Sequence, residues 1–288
     1  MTGPGDGPAA RLAALTGTAV TEIRPLGGQH GARHYRAVLA DGRAAFVKTA
    51  PSAGHAALAS EARGLRWLAE AHAAAIPEII ATDATLLAVS WVGTGPVTSV
   101  MAERFGRDLA ALHQAGAPAF GAPWEGFLAG LPLSNAGGGA WPDWYAEHRV
   151  LPYLRRAVDA GVLAGADARV IVAALGRAAA IAGPPEPPSR LHGDCWSGNV
   201  LWSDGRGWLI DPAAHGGHRE TDLAMLALFG APGLAGILAG YQEVSPLADG
   251  WRDRVPLHQL HPLLVHVCLF GASYTGPALT AARSVLAL

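Results

Sequence analysis

Residues 191–211 constrain the fold more than any other segment of the chain, because they read LHGDCWSGNVLWSDGRGWLID. Within them the polar turn SDGRG separates two apolar runs, VLW and WLI, and this pattern predicts a β-hairpin. Asn199 stands just before the first predicted strand and Asp211 just after the second. Strand pairing therefore brings these two side chains together, and we expect Asp194, five residues before Asn199, to face the same pocket.

The residue types at these three positions indicate phosphoryl-transfer chemistry. Carboxylate and amide oxygens are the ligands that Mg²⁺ prefers in proteins. An Asp separated by four residues from an Asn, with a second Asp beyond a hairpin, is typical of kinase catalytic loops. In that arrangement Asp194 receives the acceptor hydroxyl, while Asn199 and Asp211 hold metal on the nucleotide phosphates. Each acid alone is better explained as a turn cap or a strand end, but the joint pattern favours the functional interpretation.

The amino-terminal region predicts a matching phosphate-binding pair. Asp41 and Gly42 lie between two apolar runs, which is a strong hairpin signal, and Lys48 ends the second run. Glu61 lies in a helix predicted over residues 55–71 from the helical spacing of apolar residues. A kinase needs a strand lysine for the phosphates and a helix glutamate to orient it. An apolar strand that ends in lysine also implies a nearby acid, since a buried unpaired ammonium is costly; a surface lysine is the alternative.

Two further segments are candidates for nucleotide contacts. Gly27 and Gly28, in the run LGGQHG, predict a flexible turn over the phosphates, because glycine permits positive φ and close approach of the backbone. Their neighbours Gln29 and His30 are assigned no chemical role. A second β run covers residues 86–92 and completes the predicted strands of this region.

The chain changes in character after its first ninety residues, from short β runs with one clear helix to mostly helical sequence. We therefore predict an α+β, two-lobed fold of the protein-kinase type. Its lobes are a β-rich nucleotide-binding lobe over residues 1–92 and a mainly helical catalytic and substrate-binding lobe over residues 93–288. A long Gly- and Pro-rich loop is expected at 116–142, followed by helices at 144–160 and 167–182.

Composition excludes several classes of protein. Half of the 288 residues are hydrophobic and 15% are charged, which is typical of a globular domain. The formal net charge of −2 provides no basic surface for nucleic acid. Two cysteines and an N-terminus without an apolar signal segment indicate a reducing, cytoplasmic setting. The apolar stretches 223–242 and 257–279 are interpreted as buried helices rather than membrane spans, because glycines or histidines interrupt them. We expect a monomer or weak dimer.

With these motifs in place, the chain resembles the fructosamine kinase, or ketosamine-3-kinase, family. This family is a branch of the aminoglycoside phosphotransferase and choline kinase superfamily. The resemblance runs from about Gly27 to Gly276 and depends on LGG before the first hairpin and on the motifs FVK, SEARGLRWL, HGDCWSGNVL and IDPAAHGGHRETDLAM. It implies ATP- and Mg²⁺-dependent phosphorylation of the 3-hydroxyl of a ketosamine, either a small sugar-amine or a glycated lysine.

The resemblance also implies individual roles. Asp194 is the base, Asn199 and Asp211 bind Mg²⁺, and Lys48 with Glu61 serves the phosphates. The backbone groups of Ser90, Trp91 and Val92 are implied to contact adenine. Asp222 is implied to brace the catalytic loop. The chain departs from the family pattern at Cys195, where Leu is usual, and at Ser90, where an acidic residue is common. The stretch 124–141 follows the family's substrate-loop pattern only loosely.

Substrate contacts are predicted for Trp196, Trp141 and His215, with core packing or a solvated loop as the alternatives. Two other functions remain open at this stage. One is a kinase of the same fold that acts on an aminoglycoside or choline, for which a strongly acidic acceptor cleft would be expected. The other is a catalytically inactive, kinase-like binding module, which the presence of all five expected polar residues disfavours.

Overall fold

Five antiparallel strands form the sheet of the smaller lobe in the computed structural model, which describes residues 7–29 and 31–288. The strands are β1 Val20–Gln29, β2 Ala32–Leu39, β3 Ala44–Thr49, β4 Ile79–Thr82 and β5 Leu86–Ser90. They are arranged in the order β1-β2-β3-β5-β4. The turn at Asp41 and Gly42 joins β2 to β3, as predicted, and its strands pair from Val38 with Ala44 to Arg33 with Thr49.

Helices cover both faces of this sheet. Helix α1, Pro8–Thr16, places Leu12 against one face in a cluster with Val47. Helix α2, His55–Ala69, packs Leu58 and its apolar neighbours against the other face. The sequence predicted α2 but not α1, because α1 has nine residues and buries only one of them, so packing rather than propensity stabilises it.

Strand alternation decides which side chains of β3 face α2. Side chains of successive strand residues point to opposite faces of a sheet. Since Val47 lies in the α1 cluster, Phe46 and Lys48 point to the α2 side, and Phe46 packs there. The sheet thus delivers the Lys48 ammonium to the face on which α2 carries Glu61.

The larger lobe is mainly helical. Its helices are α3 Ser99–Gln114, α4 Trp141–Tyr145, α5 Leu151–Asp159, α6 Gly165–Leu175, α7 Ala178–Ile181, α8 Glu220–Leu228, α9 Leu234–Val244, α10 Trp251–Phe270 and α11 Thr275–Ala287. Its strands are β6 Gly126–Leu128, β7 Leu131–Leu133, β8 Ser189–Leu191, β9 Val200–Ser203, β10 Arg206–Leu209 and β11 His215–Gly217. These form three separate antiparallel pairs, β6 with β7, β9 with β10 and β8 with β11.

The structure differs from the sequence prediction in the middle of the chain. The loop expected at 116–142 contains the β6–β7 hairpin, whose three-residue strands are too short to give a periodic signal. The next helix begins at Trp141 and passes through a π-helical turn, Ala146–Val150, before α5. The helix expected at 167–182 is divided into α6 and α7, while 223–242 forms the two short helices that its glycines predicted.

The carboxy-terminal stretch Trp251–Ala287 has the length and composition of a membrane span. This is a weak indication, because core helices of water-soluble proteins pass the same test. In this fold the stretch is two helices joined by a 3₁₀ turn, and α10 carries prolines at 256 and 262. Leu260 and Leu264 of α10 are completely buried in the main core of the larger lobe.

Helices α3 and α9 pack with their backbones in close contact. A Cβ placed on Gly240 of α9 would lie 2.0 Å from the carbonyl oxygen of Glu103, and one on Gly106 of α3 would lie 2.0 Å from that of Ile237. Both obstacles are backbone atoms of the facing helix. The separation of the two helices therefore depends on glycine at these two positions.

We expect Gly240→Ala to destabilise the protein by about 1–3 kcal/mol, because the added methyl group has no room and the helices must separate. Gly236→Ala on the same helix is the matched control, since its Cβ would meet Ala102 at an ordinary 3.4 Å. There the usual helical gain of Ala over Gly, about 0.5–1 kcal/mol, should appear. Urea unfolding of both variants measures the difference. Equal stabilities would contradict the close packing.

Candidate active site

The β9–β10 hairpin brings Asn199 and Asp211 to the same end of two short strands. Leu209 pairs with Val200, and beyond this pair the Ile210 N–H donates to the carbonyl of Asn199 at 3.1 Å. Asp211 follows with φ of 53°, in the left-handed region that is uncommon for a residue with a side chain. Local pairing of this kind is what the sequence pattern predicted for the two residues.

Lys48 connects the two lobes. Its Nζ donates to Glu61 Oε1 at 2.8 Å and to Asp211 Oδ1 at 2.6 Å. Burial by itself lowers the pKa of Lys48, but the two carboxylates outweigh it and hold the pKa above its usual value, so the side chain is charged. Burial also raises the pKa of Glu61, and the positive charge of Lys48 opposes this rise. The chain's single lysine thus lies where a kinase positions nucleotide phosphates.

Asp194 and Asn199 are joined by direct hydrogen bonds. The Nδ2 group of Asn199 donates to Oδ2 of Asp194 and to its backbone carbonyl, both at 2.9 Å. Because both amide hydrogens are used, the Oδ1 atom of Asn199 is the part of the side chain that can bind a cation. Burial raises the pKa of Asp194 to about 7, although the hydrogen bond from Asn199 opposes the shift. Such a carboxylate is suited to receive a proton near neutral pH.

A buried carboxylate braces the segment before Asp194. Asp222 accepts the backbone N–H of His192 at 2.8 Å and that of Gly193 at 2.9 Å. His113 lies 3.2 Å from the same carboxylate. Burial alone would raise the pKa of Asp222, but these hydrogen bonds and the nearby histidines hold it below its usual value. The contact implied for Asp222 by the sequence resemblance is therefore present, and His113 is a supporting residue that the sequence did not reveal.

Two more contacts determine the path of this loop. Gly193 has φ of 81°, and a Cβ there would lie 2.2 Å from the carbonyl of Ala213, so only glycine fits. The ring of His192 donates from Nε2 to the Ile210 carbonyl at 2.8 Å and accepts the Asp194 N–H at Nδ1. Burial lowers the pKa of His192, which keeps the ring neutral and suits this pairing. The loop that carries Asp194 is thus tied directly to the segment that carries Asp211.

One cavity of about 540 Å³ contains these groups together. Its walls include the predicted residues Lys48, Glu61, Asp194, Asn199 and Asp211. The cavity lies between residues of the two lobes and is large enough for a small-molecule substrate. Two carboxylates and an amide oxygen within it form an oxygen-rich ligand set that fits Mg²⁺.

The other predicted nucleotide contacts do not line this cavity. Gly27 and Gly28 belong to the end of β1 and pair with β2, so the flexible turn predicted for them is corrected to a strand; their contact with phosphate stays a prediction. Their neighbour His30 lies outside the described residues. The N–H groups of Ser90 and Trp91 are used within the sheet, by the carbonyls of Glu78 and Ala44. Adenine binding by Ser90, Trp91 and Val92 stays a prediction.

Two of the three predicted substrate residues are buried away from the cleft. Trp141 is 5% exposed and stacks on Tyr145, with its centroid also 4.7 Å from that of His258. His215 is buried beside β8 and bonds to the Ala213 carbonyl, and burial lowers its pKa to about 3. Neither side chain lines the cavity, so we correct their assignment to core packing. Trp196 does line the cavity and is 37% exposed.

Arg149 is a buried residue that sequence reasoning missed. It lies in the π-helical turn, with its guanidinium 4.3 Å from the ring centroid of Trp144. Its Nη2 donates to Asn135 Oδ1 at 3.1 Å, and its Nε lies 3.4 Å from His215 Nε2. Burial lowers its pKa to about 9. Arg149 therefore ties the loop after β7 to β11, the strand that follows Asp211. No pattern in the sequence marks it, because its contacts with Asn135, Trp144 and His215 depend on the tertiary fold.

Comparison with known proteins decides the family. The family model for fructosamine kinase matches residues 8–287, which is nearly the whole chain. The chain belongs to the fructosamine kinase family. A curated relative from Klebsiella aerogenes, named "Probable ketoamine kinase", is 32% identical over 255 residues, with 87% of each chain covered. The membership predicted from the sequence motifs is confirmed.

Solved structures agree with this membership. The crystal structure of a "putative fructosamine-3-kinase" from Thermobifida fusca is 50% identical and has a TM-score of 0.95, with 98% of this chain and 99% of that chain covered. The streptomycin–ATP–APH(2'')-IIa ternary complex is 13% identical with a TM-score of 0.65, covering 100% of this chain and 98% of that chain. This second likeness shows the fold alone. The predicted two-lobed, kinase-like fold is confirmed, and this fructosamine kinase family member is a phosphotransferase.

We expect Asp222→Asn to lower kcat/KM by up to about 100-fold. An amide offers one oxygen where the loop needs two acceptors, so the loop would shift. A small displacement of catalytic groups can lower the rate by about this factor. Asp83→Asn is the matched control. Asp83 also accepts two backbone N–H groups, from Thr85 and Leu86, but does so in a turn of the smaller lobe. Steady-state kinetics with thermal melting compares the two. Equal activities would show that Asp222 does not position the loop.

Proposed function

We propose that this fructosamine kinase family member transfers the γ-phosphoryl group of Mg²⁺-bound ATP to the 3-hydroxyl of a ketosamine, a fructosamine or ribulosamine. The observation that carries the proposal is the double ion pair of Lys48 with Glu61 and Asp211, in one cavity with Asp194 and Asn199. A deglycating role in the cytoplasm, on free or lysine-bound ketosamines, is part of the proposal and is supported by the family membership.

Nucleotide binding is assigned to the Lys48 side of the cavity. A charged lysine held by two carboxylates is oriented to pair with phosphate oxygens. Asn199 and Asp211 would hold Mg²⁺, whose chemistry is to neutralise phosphate charge during transfer. A carboxylate and an amide oxygen suit this hard cation better than zinc, which takes nitrogen and sulfur ligands.

Asp194 is assigned to the acceptor hydroxyl. As the hydroxyl oxygen forms a bond to the γ-phosphorus, the bond from that phosphorus to the oxygen of the ADP leaving group breaks. The hydroxyl proton passes to the carboxylate of Asp194, whose raised pKa of about 7 suits it to hold that proton. The hydrogen bonds from Asn199 orient the carboxylate for this step.

The charge of the cavity favours a ketosamine over an aminoglycoside. Among the described residues that line it, the acids are Glu61, Asp194 and Asp211, and all three take part in the phosphoryl-transfer cluster. A polycationic acceptor would leave several ammonium groups without partners, which costs binding energy. The ketosamine group itself carries one amine and therefore needs fewer acidic partners than an aminoglycoside.

The deciding assay incubates the protein with Mg²⁺, ATP and a panel of glycated lysine, an aminoglycoside and choline. Mass spectrometry and phosphorus NMR identify the product and the position of the phosphate. Preferential phosphorylation of the aminoglycoside or choline, or of a hydroxyl other than the third, would overturn the substrate assignment. The enzyme itself contributes little glycated lysine to the assay, because Lys48 is its only lysine.

In the same assay, Asp194→Asn should lower kcat by about 10²–10⁴-fold, the usual effect of a general base, while the nucleotide still binds. Asp204→Asn, in the exposed turn between β9 and β10, is the control and should keep wild-type activity. Calorimetry with an ATP analogue measures nucleotide binding. Near-normal kcat in Asp194→Asn would remove Asp194 from the reaction.

Lys48→Met should abolish most of the activity, because the charge that positions the phosphates is lost while the apolar stem remains. Arg43→Met also removes one positive charge, from the exposed turn beside Asp41, and should have little effect on activity. Melting curves of both variants check the fold. A folded Lys48→Met variant with most of its activity would refute the phosphate-binding assignment.

A further inference from the structure

Five aromatic side chains form a continuous surface on one side of the cavity, which we call the aromatic wall. Its members are Trp196, Phe229, His266, Phe270 and Tyr274. Ring centroids are 6.1 Å apart for Trp196 and Phe229, 5.0 Å for Phe229 and His266, and 4.8 Å for His266 and Tyr274. Phe270 contacts both His266 and Tyr274. None of these residues takes part in the phosphoryl-transfer cluster.

The wall begins at the reacting end of the cavity. Trp196 follows Asp194 by two residues, and its ring lies against Gly198, where a Cβ would come within 2.3 Å of it. This contact limits the orientations that the indole can adopt. The wall extends to Phe270, which is 54% exposed and has no role in the core. An acceptor with its hydroxyl at Asp194 would therefore extend the rest of its structure along aromatic surface.

The wall carries no formal charge. The Nδ1 group of His266 donates to the Pro262 carbonyl at 2.7 Å, and burial lowers the pKa of His266, so the ring is neutral at pH 7. Among the described residues lining the cavity, the only lysine or arginine is Lys48, which is bound by two carboxylates. The wall therefore has no carboxylate to pair with a second amine of the substrate, and no cation to pair with a substrate carboxylate.

We propose that the aromatic wall binds the nitrogen substituent of the ketosamine, and that it selects alkyl and aryl amine derivatives over α-amino-acid derivatives. The inference rests on the proposed function. The single ammonium of a ketosamine is attracted to aromatic faces, and an apolar arm on that nitrogen buries its surface against the rings. An α-amino-acid derivative places a carboxylate beside the nitrogen, where the wall offers no cationic partner. The lysine side chain, with its four-carbon stem, meets the requirement.

The test uses four synthetic fructosamines that differ only at nitrogen: methyl, butyl, benzyl and carboxymethyl. With saturating Mg²⁺ and ATP, kcat/KM should rise from methyl through butyl to benzyl by about tenfold or more, as apolar pockets discriminate between arms of this size. The carboxymethyl compound, which carries the acid of a glycine derivative, should be the poorest substrate of the four.

Variants of the wall connect this preference to the structure. In Phe270→Ala the ratio of benzyl to methyl kcat/KM should fall to about two- to threefold, because an exposed aromatic contact has been removed. Phe270→Leu should restore part of the ratio, which guards against a folding defect. Val172→Ala is the control: Val172 is an equally exposed apolar residue on α6 that does not line the cavity, and the ratio should stay at its wild-type value.

The outcomes separate this inference from the proposed function. If none of the four fructosamines is phosphorylated, both the proposed function and the role of the wall are wrong. If all four are phosphorylated with equal kcat/KM, or if folded Phe270→Ala keeps the full benzyl preference, the enzyme is a ketosamine kinase and the wall does not select its substrates. A carboxymethyl compound that surpasses the benzyl compound would also overturn the inference.

Discussion

The pairing of Lys48 with Glu61 and Asp211 is the interaction on which the rest of the site depends. It joins a strand and a helix of the smaller lobe to the end of a hairpin in the larger lobe. A buried ammonium such as that of Lys48 is costly without acids, and Glu61 and Asp211 supply the two carboxylates that it needs. The arrangement therefore joins the two lobes at the point where we propose that phosphate binds. It also explains why the chain's only lysine lies in its interior.

Around this ion pair, the larger lobe supplies a rigid support for Asp194. The backbone of the catalytic loop is bound by Asp222, which is itself held by His113, and the ring of His192 connects the loop to the segment before Asp211. These groups are buried and paired, which is the condition under which a polar network stabilises one arrangement. The close packing of α3 and α9 is part of the same support, since α3 carries His113 and α9 carries its partner Tyr241.

The acceptor side of the cavity follows a different physical principle. The proposed phosphate side contains paired charges, whereas the proposed acceptor side is aromatic and uncharged. The fold is shared with an aminoglycoside kinase, but a shared fold does not determine the acceptor. Rings supply large apolar area and attract one cation without the desolvation cost of burying a carboxylate. We therefore propose that the absence of charged side chains from the wall restricts the acceptor more than any single contact does.

The sequence by itself determined the two halves of the reaction centre, because the parts of each half are close along the chain or are joined by one hairpin. Only the tertiary structure brings Lys48 to Asp211, which lies in the other lobe. The convergence of Asp194, Asn199 and Asp211 needs only the pairing of two adjacent strands, and the motif around Lys48 needs only the next strand and helix. The tertiary structure decided which aromatic rings line the cavity. Trp141 was predicted to reach the cleft and lies in the core, while Phe270, from the end of α10, lines it. The direction of a side chain on a helix is set by long-range packing, which local spacing does not encode.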